Sequence, residues 1–135
     1  MRRFSEVRPV DKITDVYMEI LQDLVKNVGL DGAILSGVDG IPIASALRLG
    51  IEENRVAAIS AAALTLGLKV AEEINRGALE EVTIRGDSGL VLVSGVGEDA
   101  VLTAVADEHV KLGFLMMEMK KARSRLTELM LFSTL

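Results

Sequence analysis

The chain has 135 residues, one domain's worth, with 50% apolar residues, 26% charged residues and a net charge of −5, a composition that excludes disorder. It holds no cysteine and one histidine, His109, so disulfide scaffolds, thiolate metal sites and enzymes built on paired histidines or a cysteine–histidine couple are excluded. No apolar run approaches the roughly 18 residues of a membrane span, and the N-terminus lacks an apolar signal core, so the expected setting is the cytoplasm, without membrane insertion.

Residues 1–10, with Arg2, Arg3, Arg8 and Pro9, show little periodicity and read as a loose basic N-terminal arm. Asp11 is the expected N-cap of a first helix. Ile13, Val16, Tyr17, Ile20, Leu24 and Val28 then repeat at steps of three and four, and Gly29 closes the helix. Two short apolar runs follow, 33–35 and 41–44, separated by Asp39-Gly40. That pair tolerates the positive φ of a tight reversal and predicts a hairpin. Pro42 lacks an N–H, which suits an edge or a bulge.

A long helix is expected over residues 51–76, with Glu52 and Glu53 in its first turn and Gly77 at its end. Three strand-like runs come next, at 82–84, 90–93 and 101–105, turned by the glycine-containing segments 86–89 and 95–99. A last helix spans about 110–130, with Leu112, Leu115, Met119, Ala122, Leu126 and Leu129 as its stripe. Every strand-to-strand connection is of hairpin length, which favours antiparallel neighbours. The predicted fold is α+β, a five-stranded antiparallel sheet flanked by three helices in the order αββαβββα. It occupies residues 11–131, before a short apolar C-terminal tail at 132–135.

The central helix is the most informative segment. No charge occurs from Val56 to Leu68. At roughly 100° per residue, Val56, Ile59, Ala63, Leu66, Val70 and Ile74 share one arc, read as the face on the sheet. Ala57, Ala61, Leu64, Leu68 and Ala71 share a second, with Ser60 and Gly67 between the two. The combined arc of roughly 220° exceeds the usual surface-helix stripe, and a sheet covers only one side of a helix. A neighbouring helix of the same protomer would absorb the excess; the reading preferred here is that the second arc meets another subunit, with a two-fold contact the commonest kind.

Several motifs fail on chemistry. Gly86-Asp87-Ser88-Gly89 has the letters of a serine-protease nucleophile loop, but that chemistry needs a histidine base oriented by a buried aspartate. The only histidine is His109, and the chain is far too short for the double barrel, so a hairpin turn is the reading. Gly95-Val96-Gly97-Glu98-Asp99-Ala100 fits G-x-G-x-x-A, yet a β-type run follows where a dinucleotide site needs a helix, and two carboxylates would repel phosphate. Asp107-Glu108-His109 are consecutive and cannot converge on one helical face, so Asp107 is better read as the N-cap of the last helix. Met116, Met117 and Met119, with Met130, Leu131, Phe132 and Leu135, make a C-terminal region of adaptable apolar groups. It is either a docking surface or a packed end, the latter being the simpler reading.

Charge is unevenly spread. Residues 1–12 carry +2, residues 111–135 carry +3, and the stretch between carries −10. An acidic body argues against nucleic acid as a partner, and the basic ends read as solvated faces.

In order and spacing the chain resembles the roadblock/dynein light chain domain family over about residues 13–129. The resemblance is carried by the helix end at Leu21, Leu24 and Val28, and by Gly32-Ala33-Ile34-Leu35 leading to Asp39-Gly40-Ile41-Pro42-Ile43-Ala44. It continues in the alanine-rich Ala57-Ala58-Ile59-Ser60-Ala61-Ala62-Ala63 and in Leu112-Gly113. It implies the same αββαβββα sheet, and dimers in which the central helix and the strand after it meet their counterparts. Here those are Ala57, Ala61, Leu64, Leu68 and Ala71 with Val82, Thr83, Ile84 and Arg85.

Family members are scaffolds and regulators of Ras-like small GTPases, or motor light chains. Prokaryotic single-domain members are similar to the gliding-motility GTPase-activating partner, from which no catalytic residue carries over. The expectation is a non-enzymatic homodimer, without cofactor or metal, that binds a Ras-like small GTPase. Arg55, Leu64, Leu68 and Glu72 are candidates for that contact. The alternative is a structural light-chain or adaptor subunit with no effect on nucleotide turnover. A small-ligand sensor would instead need a pocket with convergent polar groups, and mid-strand polar residues are few.

Overall fold

The computed structural model describes residues 9–133, with side chains described over 12–132. Its elements are α1 (Pro9–Val28), β1 (Gly32–Gly37), β2 (Pro42–Leu47), α2 (Glu53–Glu73), β3 (Val82–Gly86), β4 (Gly89–Val96), β5 (Ala100–Asp107) and α3 (Leu112–Ser133). The strands form one antiparallel sheet in the order β2-β1-β5-β4-β3. This is the expected α+β architecture in the expected order.

Asp39-Gly40 turns the first hairpin. Gly40 takes φ +83°, its N–H donates to the Gly37 carbonyl at 3.0 Å, and Asp39 Oδ1 accepts from the Ile41 N–H at 3.0 Å. Pro42 sits where its missing N–H does least harm: β2 is an outer strand, and its register with β1 shifts beside Ser36. The two later turns fall within the expected segments but are tighter: residues 87–88 join β3 to β4 and residues 97–99 join β4 to β5, while Gly86, Gly89, Gly95 and Val96 belong to the strands.

Alternation along the strands sorts side chains onto two faces. Ala33, Leu35, Leu92, Leu102 and Ala104 pack with Ile20, Leu21 and Leu24 of α1 and Leu115, Met119 and Leu126 of α3 in the main core. The other face carries Ile34, Ser36, Val93, Val101 and Thr103, all buried, and α2 alone crosses it. The two-helix side thus holds most of the apolar mass. The α2 side holds a small cluster of Leu64, Val93 and Val101, flanked by Leu79, Val82 and Val91.

Helix ends differ in detail from the pattern. α1 starts at Pro9, before the expected Asp11 cap, since proline suits a first helical turn. α2 is shorter than expected, ending at Glu73 with Asn75 at φ +53°. Asp107 caps a turn rather than α3: its Oδ1 accepts from the His109 N–H at 2.8 Å, and the helix begins at Leu112. α3 continues through Phe132 and Ser133, which were expected in the tail. Of the arm expected at 1–10, residues 9–10 belong to α1 instead, and residues 1–8, like 134–135, lie outside the described residues. Among the described residues, no helix is long and apolar enough to cross a membrane.

Candidate functional site: the outer face of α2 and the β3 edge

α2 does carry two apolar arcs, but their expected roles are reversed. The residues buried against the sheet are Ala57, Ser60, Ala61 and Leu64, with Leu64 only 6% exposed. The arc of large residues, expected on the sheet, points outward: Ile59 is 59% exposed, Leu66 64%, Val70 50% and Ile74 55%. The cause is the closeness of the layers. A Cβ on Gly40 of the β1–β2 turn would stand 3.2 Å from Ala58 Cα, and one on Gly67 would stand 2.6 Å from Val82 Cγ2. At that separation the sheet provides the bulk, through Ile34, Val93 and Val101, and the helix must provide small residues. Ala57, Ala61 and Leu64 therefore belong to the protomer's own core and offer no surface to another chain.

The outward arc leads to the sheet edge. Gly67 faces Val82 and Leu79, and Ala63, Val70 and Ile74 lie on the same flank of α2 by helical geometry. β3 is the outer strand next to that flank, paired only with β4. Val82 is half-buried, while Thr83, Ile84 and Arg85 are exposed. Ile84 lies opposite Val91 and Val82 opposite Val93, so Ile84 shares the α2 face of the sheet and prolongs its apolar surface to the edge.

The four partner candidates do not converge. Leu64 is buried and Leu68 is 51% exposed. Arg55 and Glu72 are 17 positions apart, or roughly 26 Å along the helix, and Arg55 Nε faces Glu52 at 3.7 Å. Leu68 and Glu72 also occupy the flank of α2 away from β3. Sequence reasoning assigned Ile59, Leu66, Val70 and Ile74 to the core and so missed them as surface. The signal lay in the small residues themselves: Ala57, Ser60, Ala61, Gly67 and Ala71 each lie three or four positions from another of the set or from Leu64, the pattern of a close contact.

Two hydroxyls lie between α2 and the sheet without hydrogen-bond partners, Ser36 Oγ and Thr103 Oγ1. An open depression at the far end of α1 is lined by Val25, Lys26, Leu30, Ala46 and Arg48 among others, and there Arg48 Nη1 donates to Asp31 Oδ1 at 2.8 Å. Among the described residues, no group of three or more histidine, aspartate or glutamate side chains is placed to hold a metal.

The profile of the Roadblock/LC7 domain family matches residues 17–106, two-thirds of the chain, from α1 through β5. The chain belongs to the Roadblock/LC7 family. It is 34% identical over 107 residues to MJ0310 of Methanocaldococcus jannaschii, a match covering 79% of this chain and 93% of that relative. Among solved structures, MglB of Myxococcus xanthus aligns over 95% of this chain and 100% of its own at TM-score 0.78 and 23% identity. Profilin IA of Acanthamoeba castellanii aligns over 83% of this chain and 97% of its own at TM-score 0.57 and 18% identity. These identities speak to the fold, which this roadblock chain shares with profilin.

Proposed function

We propose that this Roadblock/LC7 chain is a non-catalytic homodimeric regulator or scaffold that binds a Ras-like small GTPase. The observation that carries the reading is the uncovered apolar surface of Ile59, Leu66, Val70, Ile74 and Ile84, ending at an unpaired strand edge. Covering the exposed halves of these five side chains contributes roughly 1 kcal/mol each, on the order of 10 kcal/mol over two copies. Association itself costs about 4–15 kcal/mol. Apolar burial thus about offsets that cost, and main-chain pairing of the two β3 edges supplies the surplus. The central helix and following strand are also what the family resemblance implies for a dimer, now with the outer residues of α2 in place of Ala57, Ala61 and Leu64.

In this reading the chain has no catalytic role of its own. His109 is exposed, with its Nε2 3.4 Å from Glu108 Oε1, and no cysteine accompanies it. Acting on a GTPase then means docking and shifting the GTPase's own groups. The test uses the purified chain and Ras-like GTPases from the same genome, loaded with GDP or a non-hydrolysable GTP analogue. Nucleotide-dependent binding is expected, and loss of binding in Leu66→Glu. Failure to bind any of them in either state would sink the reading. A turnover assay with the bound GTPase separates a regulator from a passive adaptor.

A further inference from the structure

The outer face of α3 is the other large exposed surface of mixed chemistry. α3 buries Leu115, Met119, Ala122 and Leu126. Its opposite side presents Met117, Lys121, Ser124, Glu128 and Leu131, all exposed, with Met117 at 50% and Leu131 at 64%. These positions alternate steps of four and three, the 3.5-residue repeat by which one helix keeps a single seam toward another.

Read from either end, the seam gives complementary chemistry. In one direction it is apolar, basic, small, acidic, apolar; reversed, it is apolar, acidic, small, basic, apolar. Laid antiparallel on a second copy about Ser124, Met117 meets the second copy's Leu131, each seven positions from the centre, and Lys121, three positions before it, comes within one residue of level with the second copy's Glu128, four positions after it. Ser124 meets itself, and its small side chain allows close approach at the centre. This is the reciprocity an isologous contact requires, residue i on j and j on i. Phe114 and Phe132, both exposed, lie on one flank of the seam and come side by side at its two ends.

Two flanking arginines are already engaged within the protomer. Arg125 Nη1 lies 4.0 Å from Asp23, and Arg123 Nη1 donates to the Glu80 carbonyl at 3.1 Å. Lys121 Nζ is 3.9 Å from Oε1 of Glu118, a long contact in which the Lys121 side chain is 65% exposed and that of Glu118 16%, so the ammonium stays at the surface, able to reach across.

We propose that the outer face of α3 is a second self-association surface, on which two copies pack antiparallel about a two-fold axis through Ser124. The surface is distinct from the α2–β3 surface and does not depend on GTPase binding. It is tested in the Leu66→Glu background, where the α2 contact is absent.

Because the chain has no cysteine, Ser124→Cys reports on the axis directly. Mild oxidation should give a reducible two-chain species faster than in Gln22→Cys, an exposed position on α1. Equal rates would overturn the proposal. By sedimentation, Lys121→Glu and Glu128→Lys should each weaken self-association about tenfold, and the double reversal should restore it. Single variants that sediment unchanged, or a double reversal that stays dissociated, would also overturn it. Circular dichroism on each variant confirms that the fold is intact before its mass is read.

Discussion

Thr103 sits on the central strand β5 with its hydroxyl buried and without a hydrogen-bond partner. Such a group carries an uncompensated desolvation cost of about 1–3 kcal/mol. Thr103→Val keeps the shape and removes the hydroxyl, so urea unfolding should report a gain of about 1 kcal/mol. A neutral or destabilising result would mean that the hydroxyl is satisfied in solution. Gly89 shows the opposite intolerance. A Cβ there would run into the Ala106 carbonyl oxygen and come within 3.0 Å of Asp107 Cα. Both are backbone atoms of the strand paired with it, so neither can swing aside. Gly97 also has a positive φ, +61°, but open space around it. Gly89→Ala should therefore lose more than about 1 kcal/mol, and Gly97→Ala distinctly less. Equal losses would place the cost in backbone conformation alone.

At the scale of the element, α2 separates what sequence could yield from what it could not. The helix, its approximate span and its excess of apolar surface follow from the charge-free run Val56–Leu68 and its spacing. The five strands follow from short apolar runs between glycine turns, and the hairpin at Asp39-Gly40 from the φ that glycine alone adopts freely. Which arc faces inward depends on how closely two layers approach, and that depends on Gly40 and Gly67 meeting partners remote in sequence. The usual assumption that bulk points inward failed because the sheet's own Ile34, Val93 and Val101 occupy the space. The extent of α3 was hidden for a related reason, since Leu131 and Phe132 were assigned to a packed end but stand exposed on a continuing helix.

The reversal makes a paired prediction. Leu64→Ala should lower stability by about 2–5 kcal/mol while the folded protein keeps its association state. Leu66→Glu should leave the protomer folded and reduce its mass in sedimentation. The opposite pattern, with Leu64→Glu dissociating a stable fold and Leu66→Glu unfolding it, would restore the orientation expected from bulk.

Across the whole molecule, the sheet is covered unequally. A five-stranded sheet is roughly 19 Å wide at about 4.8 Å per strand, and a helix with its side chains is roughly 10 Å across. Two helices suffice on the α1–α3 side, and one cannot cover the other side. The consequence is visible in Ile84 at the edge and in the half-exposure of Val91 and Val105 on the face that α2 crosses. α2 meets its own sheet through small side chains and turns its large ones outward, so much of what holds this helix lies on the proposed partner chain. Folding should then be linked to association, because a dimer binds the folded state and not the unfolded one. The unfolding free energy measured by urea should rise by about 2.7 kcal/mol per hundredfold increase in protein concentration. In Leu66→Glu the α2 contribution to that dependence should vanish, leaving only what the α3 seam contributes. A wild-type urea midpoint that stays constant between micromolar and hundred-micromolar protein would show that α2 needs no second chain to remain in place.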